Sequence, residues 1–327
     1  MYAAAVDPAR STLASALDVA KIAEDNRIDA LFAADLLSFG KQGAIGAQEP
    51  LIYLAALSAV TSHVGLIATV TTTFHHPYNL ARLFGTLDHV SNGRAAWNAV
   101  TSSLGEENYG DEGLPSPEER YARATESLEV VNALFDSWQP WALVSDGAGG
   151  AKLDPGLVRP IDHRGRYFTV AGPLNIPPLP QRRPVQFQAG QSAGGVELTD
   201  LPLDKPLPES LLPAVESVNR RRGRVEIFTQ LARSGRTLRE LIIAAKDTGH
   251  WAAAGTPEQL ADAVEERYAA GVLDVIGLGG LGDPRTRDFV TNGLLPELRR
   301  RGIVGTDYVG GTFRENLELP ALPDQRH

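Results

Sequence analysis

The chain has 327 residues, 43% hydrophobic and 22% charged, with a net charge of −9. That length admits one α/β barrel or two ordinary domains, and the acidic balance argues against nucleic acid, whose phosphates call for a basic face. It contains no Cys, which excludes disulfides and thiolate chemistry, and no apolar run approaches the ~18 residues of a membrane span. The N-terminus lacks the charge ahead of an apolar run that marks a signal peptide, so a cytoplasmic protein is expected. Residues 12 to 26 are predicted to form a helix, with Leu13, Leu17, Ala20 and Ile22 on its buried face. IDALFAADLL, 28–37, reads as a strand whose end bears Asp35.

A second helix, 50–60, leads into VGLIATVTTT, 64–73, which is apolar and β-branched like a strand covered on both faces in a parallel sheet. His76-Pro77 opens the next helix, with Pro77 in the first turn, where its missing N–H costs nothing. Leu80, Leu83, Phe84 and Leu87 recur along it at three- and four-residue spacing, giving one apolar face. Ser91-Asn92-Gly93 supplies a left-handed exit, and AAWNAV follows inside a strand over 94–101. A crossover of this length is parallel and right-handed.

After a Gly- and Glu-rich loop come an amphipathic helix from about 116 to 138, an irregular excursion over 139–183, and a strand at 185–190. A Pro-rich segment with helices occupies 196–250, where the basic run Arg220 to Arg224 reads as a solvated helix end. Thr256-Pro257-Glu258 opens another helix, a strand follows at 274–279, and a last helix covers about 286–301. Such alternation with short connections is the signature of one parallel α/β domain over 1–327. Ligands of these folds bind at the carboxyl ends of the strands, where Thr69 to Thr73, Asn98 and Thr101 to Ser103 gather. No His/Asp/Glu spacing suits a metal and no Gly-x-Ser-x-Gly elbow suggests a hydrolase. GLGGLG at 277–282 lacks the helix and distal acid of a dinucleotide site.

The stretch from Val64 to Ser103 also resembles the luciferase-like flavin monooxygenases, in particular the nitrilotriacetate, long-chain alkane and dibenzothiophene-sulfone subgroup. Its pattern H-P-Y-x-x-A-R, L-D-H-x-S-x-G-R and W-N-x-V-T-S is met by His76, Pro77, Tyr78, Ala81, Arg82, Leu87, Asp88, His89, Ser91, Gly93, Arg94, Trp97, Asn98, Val100, Thr101 and Ser102. Further on, QAGQSAGG meets Q-A-G-x-S-x-x-G with Gln188, Ala189, Gly190, Ser192 and Gly195. The resemblance implies a (β/α)8 barrel of the TIM type that works on reduced FMN from a separate flavin reductase, O2 and a small organic substrate; a homo-oligomer is expected because an open barrel exposes apolar edges.

It also implies roles for residues. Asp35 matches a flavin-contacting Asp, and Asn98 and Thr101 match residues touching the isoalloxazine and its tail; Asn98 is expected to serve catalysis as well. Thr69 and Thr71 stand near the ring. Tyr121, beside Arg120, is directed at the phosphate, which Gly190 and Ser192 would cradle through backbone N–H groups and a hydroxyl. His250 lies where several members place an active-site His, although a loop His can equally be structural. Pro117 stands where many members have a His.

Only five barrel strands are evident, at 28–37, 64–73, 94–101, 185–190 and 274–279, whereas the barrel needs eight. The first strand is missing from MYAAAVDPARS, and about two βα units are absent after Gly195. An incomplete barrel is therefore expected, with strands 28–37, 64–73 and 94–101 adjacent and parallel. Such a chain is a weak or inactive monooxygenase, or a non-catalytic paralogue or partner subunit. A deazaflavin-dependent oxidoreductase fits the motifs less well.

Overall fold

The apolar runs become parallel strands, and the 3.6-residue stripes between them become helices covering one side of the sheet. The computed structural model describes residues 1–6, 12–39, 48–102, 104–110, 113–145, 151–187, 229–230, 232–235, 255–271, 273 and 275–322. Its main sheet contains β1 (Tyr2–Val6), β2 (Ala30–Ala33), β3 (Gly65–Thr71), β4 (Ala95–Val100), β5 (Val185–Phe187) and β6 (Ile276–Leu278). All neighbours are parallel, in the order β6-β1-β2-β3-β4-β5. The last strand thus returns to the first, the neighbourhood a (β/α)8 barrel requires; among the described residues the sheet is not closed into a ring.

The expected adjacency of the strands in 28–37, 64–73 and 94–101 is present as β2, β3 and β4. The missing first strand is not missing. YAAAV forms β1, with Ala3 paired to Ala30 and Tyr2 to Ile276. Alanine has little strand preference of its own, so this strand exists because it is hydrogen-bonded on both sides. β2 is shorter than predicted, and Asp35 sits two residues beyond its end rather than on it.

Side chains alternate across the strands. Tyr2, Ala4, Leu31, Leu66, Ala68 and Trp97 face the helices and belong to the larger core. Ala3, Ala30, Ile67, Ala96 and Val185 face the other way, into a smaller cluster. Trp97 illustrates the outer side: its Nε1 donates to the Val70 carbonyl at 2.9 Å and its ring meets Phe84.

The covering helices include α1 (Leu13–Asp25), α2 (Pro50–Ser58), α3 (Pro77–Val90) and α4 (Pro117–Phe135). On α1 the buried stripe is Ala16, Val19, Ala20 and Ala23, while Leu13 is exposed. The small residues let the helix lie close to the sheet, and the larger Leu13 and Ile22 are left outside that contact. On α3 Leu80, Phe84 and Leu87 are buried as expected, but Leu83 is partly exposed and Ala81 takes its place. Asn92 and Gly93 both have left-handed φ, giving the predicted exit from α3.

The excursion contains two short antiparallel hairpins, Leu143–Ser145 with Ala151–Leu153 and His163–Arg164 with Thr169–Val170. Glu126 of α4 fastens the second by accepting from the N–H groups of Tyr167 and Phe168. Near the C-terminus, α5 (Pro257–Ala269) is followed by α6 (Pro284–Asp288), a π turn at Phe289–Leu294 and α7 (Leu295–Arg300). The predicted helix over 286–301 is broken there because Pro296 has no N–H and crowds the carbonyl four residues back. A short α8 (Phe313–Asn316) closes the described chain.

Candidate functional site

The inner face changes character along β3 and β4. Ile67 and Ala96 are apolar partners, and one step towards the carboxyl ends the partners are Thr69 and Asn98. Both are buried, and the Asn98 Nδ2 donates to the Thr69 Oγ1 at 3.0 Å. Accepting that bond leaves the Thr69 hydroxyl hydrogen to be donated onward. Thr71, a further step up, accepts from the backbone N–H groups of Thr73 and Ser102, each at 3.1 Å. Its oxygen ties the end of β3 to the loop leaving β4. The Thr73 hydroxyl is buried without a hydrogen-bond partner, a cost normally met by a ligand or water. Thr101, beyond β4, is half-buried at the same end.

Asp35 extends this mouth from β2. Burial pushes its carboxyl up to about 6, reinforced by nearby Glu49 and opposed by the Leu36 N–H. Tyr109, in the loop after β4, feels Asp35 and stacks on Phe74 with ring centroids 4.3 Å apart. The loops after β2 and β4 are also joined by the Asn108 side chain donating to the Leu37 carbonyl at 3.0 Å. Sequence reasoning passed over Tyr109, whose neighbours Phe74 and Asp35 lie far off in sequence. The only signal was an aromatic residue in a loop after a candidate site strand.

At the start of α4 the predicted Tyr121 is largely exposed, whereas Arg120 beside it is buried. Arg120 donates from Nη1 to the Pro115 carbonyl at 2.7 Å, and its Nε is buried without a partner. No ion pair among the described residues includes it. Burial pulls the guanidinium below its ordinary value, opposed by nearby Tyr121 and Glu118. Of the Arg-Tyr pair, Arg120 and not Tyr121 is thus the buried member. Gly190, Ser192 and His250 lie outside the described residues.

Much of the shared motif stands elsewhere. Arg94, at the amino end of β4, is buried and donates to the carbonyls of Ser91, Val64, Ser58 and Thr61 and to the Thr61 hydroxyl. Asp88 accepts from the Ala95 N–H and from both the side-chain and backbone N–H groups of Gln181. His76 caps α3, its Nδ1 accepting from the Tyr78 N–H. These residues build the scaffold, and Asn98 and the threonines build the site. An open groove lined by His76, Tyr78, Asn79 and Thr169 to Gly172 lies at the rim.

Among the described residues no helix is long and apolar enough to cross a membrane, and no group of three or more His, Cys, Asp or Glu could hold a metal ion. A parallel α/β sheet with helices on one face and a buried polar row at the strands' carboxyl ends on the other is the architecture of a barrel-type enzyme. Residues 2–200 match the family model of the luciferase-like monooxygenases. N-acetyl-S-(2-succino)cysteine monooxygenase of Bacillus subtilis (strain 168) is 30% identical, over 92% of this chain and 89% of that protein. Nitrilotriacetate monooxygenase component A of Aminobacter aminovorans is also 30% identical, over the same shares. The crystal structure of long-chain alkane monooxygenase (LadA) has a TM-score of 0.77 at 25% identity, covering 99% of this chain and 97% of that one. The chain belongs to the luciferase-like monooxygenase family. Its alignment with the Bacillus protein runs over 394 positions, more than the 327 residues here, so that relative holds segments with no counterpart in this chain.

Proposed function

We propose that this chain is the oxygenase of a two-component flavin system, taking reduced FMN from a separate flavin reductase and oxygenating a small organic substrate with O2. The observation that carries this reading is the buried Asn98–Thr69 pair at the carboxyl end of the sheet, in a chain of this family. The row suits a flavin. The Thr69 hydroxyl can donate to a ring heteroatom, the unpartnered Thr73 hydroxyl needs such a neighbour, and Arg120 offers a charge to a phosphate. Ser192 and Gly190 would complete the phosphate cradle, with Asp35 and Thr101 beside the ring. Bound reduced FMN supplies the activation of dioxygen.

The chain's own residues position and shield. Asn98 is fixed by Thr69 before any ligand arrives, so little ordering is left for binding to cost. Asp35, with its carboxyl pushed up to about 6, can hold or release a proton at its Oδ atoms near neutral pH. The apolar floor formed by Ile67, Ala96 and Phe313 keeps water from beneath the row.

The test is titration of the purified protein with FMN and reduced FMN. Stoichiometric uptake is expected. Ser192→Ala, which removes one charge-assisted hydrogen bond of about 1.5–3 kcal/mol, should weaken it roughly ten- to hundredfold. No uptake by the wild-type chain would overturn the reading, and unchanged affinity in the variant would move the phosphate elsewhere. A shortened, non-catalytic paralogue is the second reading, favoured by the alignment positions that this chain lacks.

A further inference from the structure

We propose that Phe313, near the C-terminal end of the described chain, is a positioning residue for the flavin site: it fills the floor of the inner face and sets the height of the polar row above it. The inference rests on the assignment of that row to FMN. Strand register divides the inner face into layers. Ala30 and Gly65 are partners in the lowest, Ile67 and Ala96 in the next, and Thr69, Asn98 and Phe187 in the third. With Ala3, the register partner of Ala30, this lowest layer carries only two methyl groups, which by themselves would leave a void.

The ring of Phe313 occupies that space. It is fully buried, and a Cβ added to Gly65 would lie 2.3 Å from its Cε2. Gly65 is there for close approach, since no left-handed φ requires a glycine at this position. From the floor the ring reaches Phe187, with centroids 6.3 Å apart and planes at 43°. Phe187 is the register partner of Asn98. One aromatic contact therefore joins the floor to the layer that carries the site.

The ring is also held from behind. The Phe313 N–H donates to the Gly93 carbonyl at 2.8 Å, and the Arg314 N–H to the Gln181 Oε1 at 3.0 Å. Gln181 in turn donates from Nε2 to the buried Asp88 Oδ1 at 2.6 Å. Because the motif residues Gly93 and Asp88 anchor the segment that carries Phe313, the scaffold half of the motif reaches the site half through this ring.

The test compares FMN affinity, the absorbance spectrum of bound flavin and thermal stability in five variants of the full chain. Phe313→Ala should weaken FMN about tenfold and Phe313→Leu about threefold, with a shifted flavin spectrum. Gly65→Ala, which drives the ring out from the opposite side, should match Phe313→Ala, and adding Phe313→Leu to it should restore part of the affinity by making room. Leu57→Ala, in the outer core, should lower Tm without changing affinity or spectrum. If Phe313→Ala fails to fold, Phe313→Leu and Gly65→Ala decide. Wild-type binding with unchanged affinity and spectrum in the Phe313 and Gly65 variants would overturn the inference while leaving the flavin reading intact. A wild-type chain that takes up no FMN would overturn both.

Discussion

At the scale of single residues the site depends on hydrogen bonds made in advance. Thr69→Val keeps the shape but removes the hydroxyl that accepts from the Asn98 Nδ2, a loss of about 0.5–1.5 kcal/mol for a neutral hydrogen bond. FMN affinity should fall roughly tenfold, read by the same titration, because the row loses both this bond and the Thr69 hydroxyl hydrogen offered to the ring. Asp35 gives a pH signature. Its folded pKa lies above the ordinary carboxylate value, so the unionised acid is favoured in the fold. The stability it contributes is present at acid pH and lost as pH rises through about 6. Thermal melts from about pH 4 to pH 7 should therefore show a fall that Asp35→Asn flattens; equal slopes in both proteins would mean that Asp35 is solvated. Asp35 and Asn98 were legible as polar residues ending apolar runs. The burial of Arg120 was not, because a linear sequence does not report what covers a side chain.

Among the elements, one motif performs two tasks. The L-D-H-x-S-x-G-R part ends α3 and clamps the amino end of β4, while W-N-x-V-T-S carries Asn98 to the opposite end. Arg94 makes five bonds to carbonyl and hydroxyl oxygens, a fork that a lysine cannot reproduce. Arg94→Lys should lower Tm by several degrees while FMN affinity of the folded protein stays within about twofold. A loss of affinity without a loss of stability would place Arg94 in the site after all. Helix identity was legible from periodicity, and the inward face less so. On α1, Ala16, Val19, Ala20 and Ala23 are buried while the larger Leu13 is exposed, because distance to the strands and not hydrophobicity alone decides what is buried.

For the whole molecule the question is whether this sheet supports coupled oxygenation. With a flavin reductase, NADH and a panel of alkanes, sulfones and aminopolycarboxylates, flavin oxidation should mostly yield hydrogen peroxide, on the proposal that segments present in the relative and absent here exclude water from its site. Product formed one-to-one with flavin oxidation would show that the chain encloses its substrate despite lacking segments that a relative possesses.

The sequence by itself determined the family, the parallel order of β2, β3 and β4, and the polar strand ends, since period, β-branching and motif spacing are local properties. The tertiary structure alone decided that YAAAV is a strand, that Arg120 is buried and Tyr121 exposed, that Tyr109 closes on Phe74, and that Phe313 fills the floor beneath Gly65. The strand, the Tyr109 stack and the Phe313 contact each depend on a partner tens to hundreds of residues away, and burial, unlike periodicity, is a property of the pair that meets.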